Sequence, residues 1–198
     1  MRKIAPFAVI LCLYALAAHG ADPAFYPPST ADQVVKTADG HTIRSKFYAS
    51  GDRIRTETHA AEGKTMTGIF DRSAKKMWLL MPPPMGCMEQ TLRQDPKNPA
   101  FDPSKMKEQP IGDETVAGHP TKKYKLTTTV EGKTYEQYVW RATDLKGFPI
   151  RSAALDGSYE STFENVVLGA PDPKLFKTPA DCKTMPDFGS MMAKPPAK

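Results

Sequence analysis

The clearest chemical potential in this chain is carried by sulfur. Cys87 lies between Met85 and Met88, and Cys182 is followed closely by Met185. Two chemistries fit such a set. Thioethers brought together would ligate reduced copper, or the two cysteines pair and the methionines serve as adaptable packing. The disulfide is the favoured reading. The third cysteine, Cys12, falls in an N-terminal apolar run expected to be removed, which leaves Cys87 and Cys182 as a pair in an oxidising compartment. A metal or redox pair would call for a C-x-x-C spacing or a neighbouring histidine, and the chain offers neither. The bridge closes a loop of about 95 residues, for which chain entropy assigns roughly 4 to 5 kcal/mol. No metal site and no cofactor is expected, and copper handling through Met85 and Met88 is the least favoured function.

Catalytic chemistry finds little support. His41, His59 and His119 are expected in separate turns or loops. No G-x-S-x-G elbow precedes a helix, no glycine-rich phosphate loop occurs, and Asp113 with Glu114 sits beside Gly112 as a turn. The expectation is a protein that is not an enzyme.

The elements that position these residues are strands. From Gln33 to Val167, short runs rich in Thr, Tyr, Val, Ile and Phe alternate with turn residues: Ala38-Asp39-Gly40, Ser50-Gly51-Asp52, Ala61-Glu62-Gly63, Asp71-Arg72-Ser73, Glu131-Gly132-Lys133 and Asp156-Gly157-Ser158. Loops this short join antiparallel neighbours, so the class is mainly β, a meander. Ile43, Ser45, Phe47 and Ala49 share one face, and Thr42, Arg44, Lys46 and Tyr48 the other. One or two short helices are expected: Pro103 to Gln109 behind an Asp102 cap, and Pro173 to Lys177 after Asp172. The stretch from Leu92 to Gln109, broken by Pro96, Pro99 and Pro103, reads as a long loop.

In "KKMWLLMPPPMGC" the strand Met77 to Met81 is apolar on both faces and Pro82 ends it. Met77, Leu79 and Met81 point one way and Trp78 and Leu80 the other. An antiparallel sheet commonly leaves one face to water, so this strand calls for a cover on its second face: a helix, a lid or an apolar ligand. These five residues are the candidate lining of a ligand site. A second candidate is charged. Arg44 and Lys46 are expected across a hairpin from Arg53 and Arg55, with Glu57 on the same face. That cluster suits a lipid headgroup or an acidic partner; the alternative is a solvated face with Glu57 as counter-ion.

Arg2 and Lys3 before an apolar run from Phe7 to Ala18, then small residues, read as a secretory signal over residues 1–20. The run is too short for a bilayer span, so no transmembrane segment is expected after its removal. Loss of those two cations lowers the formal charge from +5 to +3, too small an excess for a nucleic-acid binder. Residues 21–182 form one β domain, and residues 183–198, rich in Met, Pro, Lys and Ala, a disordered tail. The location is periplasmic or secreted.

The order of "ADQVV" (31–35), "KFYASGDRIRTET" (46–58), "TGIFDRSAKKMWLLMP" (67–82), "GDETVAGHPTKKYK" (112–125), "GFPIR" (147–151) and "ENVVLGAPDPKLFKTP" (164–179) resembles the DUF4412 family of exported bacterial proteins, within the broader LolA- and LolB-like group of lipoprotein-sorting carriers. The resemblance implies a curved, incomplete antiparallel barrel whose concave face holds acyl chains. The function expected is therefore a periplasmic binding protein for a lipid or acyl-bearing ligand, with peripheral membrane contact. The alternative is a cell-envelope structural or protein-interaction module whose sheet packs on itself.

Overall fold

The computed structural model describes residues 26–59, 63–91, 107–130 and 133–184. The expected signal segment, most of the tail and the bulk of the 92–109 loop lie outside these residues. Twelve strands form one sheet: β1 (Ser29–Thr37), β2 (Thr42–Ser50), β3 (Arg53–His59), β4 (Thr65–Asp71), β5 (Lys76–Leu80), β6 (Cys87–Thr91), β7 (Lys107–Val116), β8 (His119–Val130), β9 (Lys133–Ala142), β10 (Phe148–Ala154), β11 (Tyr159–Leu168) and β12 (Lys183–Thr184). Their order is β12-β6-β5-β4-β3-β2-β1-β11-β10-β9-β8-β7. The chain thus winds outward from β1 to β6, then returns from β7 inward until β11 closes on β1. All pairings are antiparallel except β12 on β6, so the expected meander is the observed architecture.

The expected turns at 38–40, 50–52, 71–73 and 156–158 each join two strands; residues 61, 62, 131 and 132 of the other two lie outside the described residues. The β7–β8 hairpin is one the residues signalled only weakly. Its two central positions, Ala117 at φ 50° and Gly118 at φ 83°, are both left-handed, the geometry that matches the twist of the flanking strands. The two expected helical stretches have different outcomes. Pro173–Phe176 is a 3-10 helix whose first turn is capped by Asp172, which accepts from the backbone N–H of Lys174. Lys107, Glu108 and Gln109, however, belong to β7 and pair with Thr127, Leu126 and Lys125 rather than ending a helix. A cap signal of one Asp-Pro pair is a weak prior, and ladder pairing with β8 overrides it. Lys183 and Thr184 pair with Met88 and Glu89, so the sheet runs two residues past Cys182.

The sheet is strongly curved. Phe47 on β2 and Phe163 on β11 are separated by β1, about 9.6 Å in a flat sheet, yet their ring centroids lie 4.9 Å apart. Phe148 on β10 joins them at 5.2 Å from Phe163. Tyr26, just before β1, inserts among the three rings at 4.7 Å from Phe47 and 5.4 Å from Phe148. Side chains from non-adjacent strands converge only on the inside of a bend, so the face bearing Phe47 and Phe163 is concave. These aromatics, with Ala31, Ala49 and Ile150, form the buried core and plug the end of the half-barrel where β1 begins. Asn165, at φ 52° in β11, sits beside a break in register between β1 and β11 and donates to Asp32 at 2.8 Å, which anchors the bend.

Candidate functional site

On the arm β3 to β6 the concave face is set by strict alternation. One cross-strand row runs Phe47, Thr56, Gly68, Leu79, Met88, and the next runs Ala49, Ile54, Phe70, Met77, Gln90, with Thr58 opposite Met66. Ile54, Met66, Phe70, Met77, Leu79 and Met88 are all half-buried. They form an apolar band beside the aromatic plug. Gly68 leaves no side chain between Thr56 and Leu79, a feature of strands that something approaches closely.

Charge is sorted by the same alternation. Arg53, Arg55, Glu57, His59, Asp71, Lys76 and Glu89 all fall in the opposite register, on the convex face. So do Arg44, Lys46, Asp32, Glu160, Glu164 and Arg151 on the neighbouring strands. Among the described residues, the concave side of β10, β11 and β1 to β6 therefore bears no charged side chain. The pair Arg141–Glu108, at 3.2 Å, belongs to the other arm.

The five expected lining residues divide. Met77 and Leu79 lie on the concave band, and Met81, just past the end of β5, donates its backbone N–H to Gly86 at 2.8 Å. Trp78 and Leu80 face the convex side, where Trp78 is 9% exposed and its indole N–H donates to Glu89 at 2.8 Å. After β11 the chain crosses this side as a strap. Its 3-10 helix packs on β3, Phe176 is buried, and Arg55 donates to the carbonyl of Leu175 at 2.8 Å. The strap ends at the Cys87–Cys182 disulfide, whose Cα atoms are 4.6 Å apart. The strap thus runs on the face of the sheet that Trp78 shares, and the concave residues of the doubly apolar strand stay half-buried.

The basic hairpin has the expected common face but a different register. The turn pairs Ser50 with Arg53, so Lys46 lies opposite Glu57 and Tyr48 opposite Arg55; Arg44 and Lys46 do not oppose Arg53 and Arg55. Two turn residues, Gly51 and Asp52, fix this count. Each cation meets an acid: Arg44 with Glu164 at 3.7 Å, Lys46 with Asp32, Arg53 with Asp71 at 2.9 Å, and Arg55 with Glu57 at 2.6 Å. The Lys46 ammonium, then the Asn165 amide, hold the Asp32 carboxyl below its ordinary range.

Among the described residues no group of three His, Cys, Asp or Glu is placed to hold a metal ion, and Met88 lies on the band while Met85 is exposed in the β5–β6 loop. Ile54, Met66 and Phe70 carry no mark in the sequence, and Met88 enters there only as a candidate sulfur ligand. Their signal was the alternation with Arg53, Arg55 and Glu57, quieter than a continuous apolar run.

Among solved structures the fold is similar to that of MucB, at 15% identity and a TM-score of 0.51, over 89% of this chain and 64% of that one. A chain of the Pseudomonas aeruginosa MucA/MucB complex aligns at 14% identity and a TM-score of 0.50, over 88% of this chain and 62% of that one. The Mycobacterium tuberculosis lipoprotein LppX aligns at 12% identity and a TM-score of 0.43, over 73% of this chain and 89% of that one. The likeness is one of fold, and this chain spans less than two thirds of the MucB chains it matches. No curated protein sequence matches it. The model of one family, described as a domain of unknown function (DUF4412), matches residues 33–146, and the chain belongs to that family.

Proposed function

We propose that this protein is an exported, non-enzymatic binding protein that holds the acyl chain of a lipid against its concave face. The observation that carries this reading is the segregation of charge: across the strands from β10 through β1 to β6 every charged side chain of the described residues is convex. Ile54, Met66, Phe70, Met77, Leu79 and Met88 offer a hydrocarbon chain partners that need no polar chemistry. Full burial of one such side chain contributes about 1.5 to 3 kcal/mol, so partial burial of several suffices for micromolar affinity. Methionines adapt their shape to an irregular chain. The basic residues Arg44, Lys46, Arg53 and Arg55, already paired with acids on the far face, stabilise the sheet in this reading rather than hold a headgroup. The disulfide fits an oxidising compartment such as the periplasm.

Solvent extraction and native mass spectrometry of the protein purified from its own periplasm test the proposal. Co-purifying lipid at near one per chain is expected, and lipid-free protein would count against it. A protein partner is the second reading, favoured by the MucA/MucB complex in which a chain of this fold occurs.

A further inference from the structure

The hairpin connections divide between two ends of the half-barrel. Because β1 to β6 alternate in direction, the β1–β2, β3–β4 and β5–β6 connections share one end, and antiparallel pairing of β1 with β11 puts the β8–β9 and β10–β11 connections there too. The opposite end is the one plugged by Tyr26, Phe47, Phe148 and Phe163. Of the large apolar side chains exposed among the described residues, Met85 (57%), Tyr135 (54%) and Leu155 (37%) all stand at the unplugged end. Met85 tips the β5–β6 loop on one arm, behind the exposed Pro83 and Pro84. Tyr135 and Leu155 tip the other arm, joined where the Leu155 backbone N–H donates to the carbonyl of Glu136 at 3.1 Å. Ile111, in the edge strand β7, and Val167, towards the plugged end, are the remaining two.

We infer that this end docks on a lipid bilayer, with Met85 on one arm and Tyr135 with Leu155 on the other entering the interfacial layer. The concave band then opens directly onto the membrane. Two separate tips, on strands far apart in the sheet order, make no continuous patch of the kind a protein interface buries. A bilayer accepts discrete apolar protrusions, and tyrosine is at home at its polar boundary. The inference rests on the acyl-binding reading for its purpose, since a sparingly soluble chain has to be collected from, or delivered to, a membrane.

Flotation of the full chain with phosphatidylcholine vesicles, with and without phosphatidylglycerol, provides the test, alongside binding of a soluble fluorescent fatty acid. The variants are Met85→Ser and the pair Tyr135→Ser with Leu155→Ser. All three sites are exposed, and near-ultraviolet circular dichroism confirms folding. Each variant is expected to lower vesicle partitioning at least about fivefold, and the combination more, while fatty-acid binding is unchanged. Vesicle binding unaltered by all three substitutions, or wild-type protein that stays off vesicles, overturns the inference even where the fatty acid still binds. Self-association abolished by the same substitutions, without vesicle binding, also overturns it and makes the rim a dimer surface. Vesicle binding lost in the variants together with wild-type failure to bind the fatty acid upholds the rim and removes the acyl-binding reading.

Discussion

The guanidinium of Arg55 reaches the carbonyl of Leu175 at 2.8 Å, across 120 residues of chain. The same group holds Glu57 through Nε at 2.8 Å and Nη2 at 2.6 Å, and Glu57 accepts from the Tyr48 hydroxyl. One side chain therefore ties the C-terminal strap to the convex face, and the Cys87–Cys182 bridge ties it again near its end.

Loss of either tie is measurable. Cys182→Ser opens a loop of 95 residues and is expected to lower the free energy of unfolding by about 4 kcal/mol, read from urea denaturation with and without reductant. Arg55→Ala leaves a half-buried Glu57 without its partner, at about 1 to 3 kcal/mol. Arg55→Lys should recover little, because an ammonium lacks the fork that serves Glu57 and Leu175 together.

The aromatic plug is expected to dominate stability. Phe163→Ala removes a ring that touches Phe47, Phe148 and Tyr26, and a cost of about 3 to 5 kcal/mol is predicted from the denaturation midpoint. A loss under about 1 kcal/mol would mean that the rings do not form the core.

Acid should unfold the protein through its paired carboxylates. The Lys76 ammonium, opposed by partial burial and aided by the Trp78 indole, holds Glu89 low. The Trp140 indole, with Lys123, does so for Glu114. For Asp71 burial acts upward but is outweighed by the Ala74 N–H, the Ser73 hydroxyl and Arg53 together. Since these groups titrate lower when folded than when unfolded, their stabilisation is complete above the ordinary carboxylate value of about 4 and is lost as pH falls through the native values. The melting temperature should be flat from about pH 7 to pH 5 and fall below about pH 4. Asp71→Asn should make that fall shallower.

Much of this fold is legible because hairpin turns are written in short-range chemistry: Gly51-Asp52 and Asp156-Gly157-Ser158 specify where strands reverse without reference to anything distant. The alternation Ile43, Ser45, Phe47, Ala49 likewise states which side is buried. The disulfide follows from cysteine count and compartment. What the residues do not state is closure. The pairing of β1 with β11 joins positions more than a hundred residues apart, and no local signal encodes it. The same holds for the strap, which packs on β3 and reaches Cys87 on the face that Trp78 shares. β7 was masked by Pro110 and Gly112, which weaken a strand signal yet suit an exposed edge.

The division of β5 separates two phenotypes. Leu79→Asn, on the concave band, is expected to weaken fatty-acid binding at least about tenfold, with stability reduced only modestly. Trp78→Phe removes the donor to Glu89 and is expected to cost about 1 to 2 kcal/mol of stability while binding stays within about twofold. Fluorescence titration and urea denaturation of both variants measure the split.

The central claim is that the concave band receives a hydrocarbon chain. Its most direct measurement is the methyl spectrum of the full chain labelled at methionine, recorded as a fatty acid is added. The account predicts saturable shifts at Met66, Met77 and Met88. Shifts absent from all three, or confined to the exposed Met85, would contradict it.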